Sequence, residues 1–136
     1  MPNFIHQIRV YYEDTDAGGV VYHSNYVNFC ERARTEWLRK LGFEQDQLNS
    51  EEGIIFVVAR MEIDFKYPAR FNQLLNVSVE PSEMRRATLF MNQEIRSEDD
   101  NRLCCKANVK IACVSSSTFK PTPFPTVIVR RFENAV

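Results

Sequence analysis

The chain reads as an α+β fold in which one long helix packs on an antiparallel sheet. Three observations predict it. A single apolar stripe with helical period runs from Ser24 to Leu41. Segments of two-residue alternation lie on both sides of that stripe. Short turn clusters, and no further helices, join the later segments, which opposes parallel winding and favours a helix laid on a meander.

Phe4 to Tyr12 reads as the first strand, with Ile8, Val10 and Tyr12 on one face and Gln7 and Arg9 on the other. Glu13 to Gly19 is a loop by composition, and Gly18-Gly19 allows positive φ and close approach of another group. The helix follows over Ser24–Leu41. Tyr26, Cys30, Ala33, Trp37 and Leu41 form its stripe, widened by Val27 and Leu38. Ser24 is its expected N-cap, and Arg39, Lys40 and Gly42 mark its end.

Phe43 to Gly53 is polar and reads as loop with a short helical turn. Ile54 to Ala59 leads into a strand in which Met61, Ile63, Phe65 and Tyr67 alternate until Pro68. Leu75, Val77 and Val79 alternate up to Pro81. Ala87, Leu89, Met91 and Ile95 mark the next strand, and a turn follows at Glu98–Asn101. Leu103 to Cys113 gives the longest alternation. The tail from Ser115, with Pro121, Pro123 and Pro125, reads as extended and packed on the surface. No repeat or internal boundary is visible, so 1–136 is expected to be one domain.

The bulk figures exclude several function classes. Hydrophobic residues make up 44% and charged residues 26%, and the net charge is −1, so no global basic field suggests nucleic acid. No apolar run approaches the roughly 20 residues of a membrane helix, and Met1-Pro2-Asn3-Phe4 does not open like a signal peptide. Cys30, Cys104, Cys105 and Cys113 form no C-x-x-C pair, and His6 and His23 are the only histidines. A structural metal site is therefore not expected, no cofactor is implied, and a cytoplasmic protein with reduced thiols is the simplest reading.

Chemistry concentrates in Tyr11-Tyr12-Glu13-Asp14-Thr15-Asp16-Ala17-Gly18-Gly19-Val20-Val21-Tyr22-His23-Ser24-Asn25-Tyr26. An acidic loop runs straight into the start of the long helix. The first-turn amides of a helix lack intrahelical partners and lie at its positive end. A carboxylate beside such donors suits attack on a carbonyl: the acid is base or nucleophile, and the amides hold the oxygen that becomes negative. Asp14 and Asp16 equally suit plain turn stabilisation.

The run D-T-D-A-G-G-V-V-Y-H-S-N-Y resembles the signature of the 4-hydroxybenzoyl-CoA thioesterase branch of hotdog-fold enzymes. Within it, the likeness is to the bacterial acyl-CoA thioesterases encoded with the Tol-Pal system. It is dense from Arg9 to Leu41 and continues through Phe56-Val57-Val58, Tyr67-Pro68-Ala69 and the later strands. The resemblance implies a hotdog fold, one central helix wrapped by a curved antiparallel sheet, assembled as a dimer or tetramer. It implies hydrolysis of an acyl-CoA, short and aliphatic in the leading reading, to acid and free CoA.

The same resemblance makes Asp16 the catalytic acid and assigns the His23 backbone N–H to the thioester oxygen, with a further role open to the His23 imidazole. Tyr12 resembles a tyrosine near the catalytic acid, though the strand alternation also explains it as core. Arg85 and Arg86 resemble a basic segment that holds the nucleotide phosphates of CoA; as strand neighbours they point to opposite faces, so at most one is expected to do so. Lys66, Arg70 and Lys120 are weaker candidates, and Glu31 and Glu36 read as solvated helix charge. The alternative is a non-catalytic hotdog scaffold for acyl carrier protein or a partner enzyme. A D-x-D phosphatase is opposed by the alternating strands, and a calcium loop by Gly18 where an oxygen ligand is wanted.

Overall fold

The computed structural model describes residues 4–135. Residues 1–3 and 136, on which the leader reading and the full 1–136 span partly depend, lie outside the described residues. The elements are β1 (Phe4–Arg9), α1 (His23–Lys40), a one-turn α2 (Gln45–Gln47), β2 (Ile54–Phe65), β3 (Leu74–Met84), β4 (Thr88–Ser97), β5 (Leu103–Ser115) and α3 (Thr126–Ala135). The five strands form one antiparallel sheet in the order β1-β3-β4-β5-β2. The predicted α+β class and the strand-helix-strands order are thus observed.

The sheet owes its inner face to the two-residue period. Leu75, Val77 and Val79 of β3, Leu89, Met91 and Ile95 of β4, and Cys105, Ala107, Val109 and Ile111 of β5 are all buried. Their intervening neighbours Asn76, Ser78, Asn92 and Glu94 are half-buried and polar, with Phe90 the apolar exception. Helix α1 crosses this face over β1, β3 and β4. It buries Tyr26, Phe29, Cys30, Ala33, Trp37 and Leu38 at helical spacing. Phe29, not Val27, widens the stripe: Phe29 is fully buried while Val27 is 38% exposed. Burying a phenylalanine of this kind contributes about 1.5–3 kcal/mol.

Pro81 does not end β3. The strand runs on to Met84 through an irregularity between Pro81 and Glu83, where the missing proline N–H is tolerated. A second irregularity lies in β2 between Val58 and Arg60. The outer side of β2 pairs with no strand among the described residues, leaving a twelve-residue sheet edge carrying exposed Val58 and Phe65.

The tail departs most from expectation. It is extended only to Pro125, after which Thr126–Ala135 forms α3 and buries Ile128 and Phe132. Three prolines suggested an extended strap, but proline is compatible with the residues that open a helix, and the Pro125 carbonyl accepts the Ile128 and Val129 amides at 3.0 Å each. Phe132 stacks on Trp37 with ring centroids 5.3 Å apart and packs against Phe124 at 5.5 Å, closing the sheet end opposite the α1 N-terminus.

Candidate active site

The start of α1 is set by tertiary hydrogen bonds and not by a side-chain cap. Tyr22 is the N-cap, His23 is the first helical residue, and no side chain caps the first turn. Ser24, expected to cap, instead lies inside the helix. The Tyr22 amide donates to the Asp14 carbonyl at 2.8 Å, and the Asn25 side chain donates to that same carbonyl at 2.9 Å. The Val21 amide donates to the Ala69 carbonyl at 2.8 Å. These bonds fix the entry of the chain into α1 more firmly than a serine hydroxyl would.

The consequence is a row of free donors. Among the described residues, the backbone amides of His23 and Ser24 donate no hydrogen bond. They stand at the positive end of an 18-residue helix with no acidic side chain in its first turn.

The acidic loop folds back against this point. Thr15 and Val21 form an antiparallel bridge, and the Asp16 amide donates to the Val20 carbonyl at 2.9 Å. Asp16 therefore lies alongside the residues that lead into the helix start. Its carboxylate is exposed, and its Oδ1 accepts the Gly18 amide at 2.8 Å. A Cβ on Gly18 would stand 3.2 Å from that same Oδ1, so the glycine leaves the carboxylate its room. Oδ2 makes no hydrogen bond among the described residues and is free to act.

Asp14 has the opposite character. It is only 9% exposed, and its Oδ2 accepts the Tyr11 amide at 2.9 Å. The two acids of D-T-D thus divide into a buried brace and an exposed carboxylate.

Tyr26 braces the site from the helix. Its hydroxyl accepts the Ala69 amide at 3.0 Å in a buried position. Burial pushes the Tyr26 hydroxyl above its usual range, the Ala69 bond opposes this, and the nearby Asp16 charge adds to the rise. Asn25 and Tyr26 are thus polar ties between the helix start and the segments flanking it.

His23 is exposed, with its ring 4.5 Å from Tyr22 and edge-on to Phe65 at 6.3 Å. Tyr12 does not continue the core face of β1. It lies in a single 3-10 turn, is 75% exposed, and stacks flat on Phe71 at 3.8 Å; no hydrogen bond joins its hydroxyl to Asp16 among the described residues. The chain leaves the sheet after Arg9, so the two-residue period no longer governs Tyr12.

Arg85 and Arg86 lie in the β3–β4 turn, at the far end of β3 from the Asp16 loop. Eleven residues of β3 at about 3.3 Å each put roughly 30 Å between the two ends. Arg85 pairs with Glu83 at 3.3 Å and lies over Phe90 at 5.1 Å. The cation brought to the Asp16 loop within the chain is Arg70, which faces Val20 in an isolated bridge.

The thiols are unsuited to nucleophilic work. Burial pushes Cys30 up to about 11, Cys105 up to about 12 and Cys113 up to about 11, so all three are neutral near pH 7. Glu36 pairs with Arg39, and Glu31 is exposed, both as helix surface charge.

The chain matches the model of the thioesterase-like superfamily over residues 10–132. It is 44% identical over 131 residues to an acyl-CoA thioesterase YbgC of Haemophilus influenzae, covering 96% of this chain and 95% of that one. It is 36% identical over 124 residues to an acyl-CoA thioesterase YbgC of Helicobacter pylori, covering 86% and 90%. Its fold is similar to the crystal structure of a probable thioesterase from Bartonella henselae, with a TM-score of 0.84 at 40% identity over 90% of this chain and 98% of that one. With the family match spanning nearly the whole chain and the helix-on-sheet architecture shared with solved thioesterases, this chain belongs to the thioesterase-like superfamily, as a hotdog-fold thioester hydrolase.

Proposed function

We propose that the chain hydrolyses acyl-CoA thioesters, short aliphatic ones in the first instance, to a carboxylic acid and free CoA, with Asp16 as the reacting acid. The observation that carries this is the pairing of one exposed carboxylate, held by a single oxygen, with the unpartnered His23 and Ser24 amides. Similarity to acyl-CoA thioesterases of Haemophilus influenzae and Helicobacter pylori supports the substrate class.

Two routes use the same atoms. In one, Asp16 Oδ2 bonds to the thioester carbon; the carbonyl oxygen becomes an oxyanion facing the two amides; the C–S bond breaks and CoA leaves as thiolate; water then cleaves the mixed anhydride. In the other, Asp16 takes a proton from water, and the resulting hydroxide attacks. The oxyanion donors in this reading are backbone groups, so His23 needs no particular side chain for this part, while the exposure of its imidazole supports a further contact with substrate. Tyr12, stacked on Phe71, serves as an aromatic wall beside the loop. No step calls for a metal or cofactor.

The separation of Asp16 from Arg85 and Arg86 argues for a second copy. A two-fold pairing of free β2 edges would reverse the strand direction and bring one copy's Asp16 loop toward the other's β3–β4 turn. CoA would then react on one subunit while its phosphates meet Arg85 or Arg86 of the other. One domain over 1–136, a cytoplasmic location and the Tol-Pal association rest on sequence composition and motif likeness; among the described residues no helix is long and apolar enough to cross a membrane.

The test is thiol release over an acyl-CoA chain-length series, with Asp16→Asn as control. Removal of the reacting carboxylate is expected to lower kcat by at least about a hundredfold. Thermal unfolding should be unchanged, because the side chain is exposed. Near-normal turnover by a pure preparation of that variant would overturn the proposal.

A further inference from the structure

We infer that a cavity beneath the middle of α1 binds a carboxylate carried on a short alkyl chain, with Arg34 as its cationic anchor. Arg34 is only 8% exposed, yet no carboxylate pairs with it among the described residues. Its one side-chain hydrogen bond there is from Nη1 to the neutral Gln93 Oε1 at 2.9 Å. Gln93 is fully buried and spends its own amide on the Cys30 carbonyl at 3.1 Å. Burial pulls the guanidinium below its usual range, although it remains charged. A guanidinium has five donors, so most of its hydrogen-bonding capacity is unspent on the protein; its unbonded nitrogens are not sealed from the cavity, and the one nearby acid, Glu31, acts on it only through space.

Arg34 lines a cavity of about 120 Å³ between α1 and the sheet. About 10–15 Å³ of such space admits a water, so several non-hydrogen atoms can enter. The deeper wall is apolar: Trp37, Leu38, Phe56, Leu89 and Met91. The polar rim is satisfied within itself. Gln45 donates to the Thr35 hydroxyl at 3.1 Å, and Thr35 donates to Glu31 Oε1 at 3.2 Å. Glu31 is the one acid at the mouth; it is exposed and turned onto Thr35. Among the described residues, Arg34 is therefore the only cation lining this chamber, between a polar rim and an apolar deeper wall. Anion plus alkyl tail is the complementary chemistry.

Two sources carry that chemistry: a free short-chain acid, or the far end of a dicarboxylic acyl group. Eleven residues separate His23 from Arg34, about 16 Å along the helix, so within one chain the cavity lies well beyond the reach of a short acyl group at the α1 start. The free acid is thus favoured, and it is the class of product formed if the function proposed above holds.

The readout is Trp37, the only tryptophan, whose indole lines the cavity. Its fluorescence in the full chain is titrated with butyrate and, separately, with 1-butanol. Butyrate is expected to give a saturable change at a concentration about tenfold or more below that for butanol, the worth of a charge-assisted hydrogen bond. Arg34→Met should erase that preference, and Arg34→Lys should keep part of it. Asp16→Asn should leave it intact, which separates this site from the catalytic one. Hydrolysis of succinyl-CoA against butyryl-CoA distinguishes the sources: a succinyl preference lost in Arg34→Met assigns the site to the acyl end, whereas inhibition by butyrate that Arg34→Met relieves, with the substrate ratio unchanged, assigns it to free acid. Equal binding of butyrate and butanol, no saturable change, or loss of the signal in Asp16→Asn would overturn the inference. The wild-type comparison needs no variant to fold.

Discussion

The Tyr26 hydroxyl accepts the Ala69 backbone amide at 3.0 Å, and this buried bond joins the first turn of α1 to the β2–β3 connection, which flanks the Asp16 loop through the Val20–Arg70 bridge. The Ala69 carbonyl in turn accepts the Val21 amide at 2.8 Å. Tyr26→Phe keeps the ring and leaves the Ala69 amide without an acceptor. The expected cost is about 1–3 kcal/mol of stability, the penalty for an unmet buried donor. Because the loop is loosened and not removed, kcat should fall further than KM rises. Denaturant unfolding beside steady-state kinetics checks both.

Gly18 is expected to matter through space and not through backbone strain. Its added Cβ would press on Asp16 Oδ1 at 3.2 Å, whereas its neighbour Gly19 meets nothing but sits at φ +78°. Gly18→Ala should therefore depress kcat with little change in Tm. Gly19→Ala should destabilise by about 1 kcal/mol from the left-handed backbone alone. Equal kinetic effects from the two would contradict this division.

The free β2 edge gives an assembly prediction. Val58 is 48% exposed on that edge, and placing a charge there opposes pairing with another chain. Val58→Lys should shift the protein toward monomer in analytical ultracentrifugation. Under the proposed function, acyl-CoA hydrolysis should fall with it, through KM first, because that reading takes the CoA phosphate contacts from a second copy.

Buried thiols predict alkaline sensitivity. Each has an ordinary value of 9.0, and burial raises Cys30 and Cys113 to about 11 and Cys105 to about 12. Between those limits the folded thiols stay protonated while unfolded ones ionise, so the folded state binds more protons and stability falls as pH rises. The loss from pH 9 to pH 10 should be on the order of 1 kcal/mol per thiol. Urea unfolding at both values reads it, and Cys105→Ala should remove one share.

The fold was legible wherever a single period governed a whole element. The helical stripe from Tyr26 to Leu38 and the alternation along β3, β4 and β5 each reflect one buried face, and a buried face writes its period into the sequence. Tyr12 was misread because a period says nothing about where the chain leaves the sheet. The α3 helix was missed because Pro121, Pro123 and Pro125 dominate the composition ahead of the short Ile128–Phe132 stripe. The pairing of Arg34 with Gln93 was not legible, since Gln93 lies 59 residues away and no local pattern links the two.

What the sequence determined by itself was the chemistry: an acid pair, two glycines and a helix start in fixed order, all local, and so visible in one stretch of chain. Only the tertiary structure decided which acid braces the loop and which is left accessible, because that depends on burial: Asp14 is turned inward onto the Tyr11 amide, while Asp16 is exposed with no hydrogen bond to its Oδ2 among the described residues. It also decided where the helix begins, since the Asp14 and Ala69 carbonyls claim the Tyr22 and Val21 amides and leave those of His23 and Ser24 unclaimed among the described residues. Hydrogen bonds between distant segments set those outcomes, and distance along the chain hides them from any reading of neighbours.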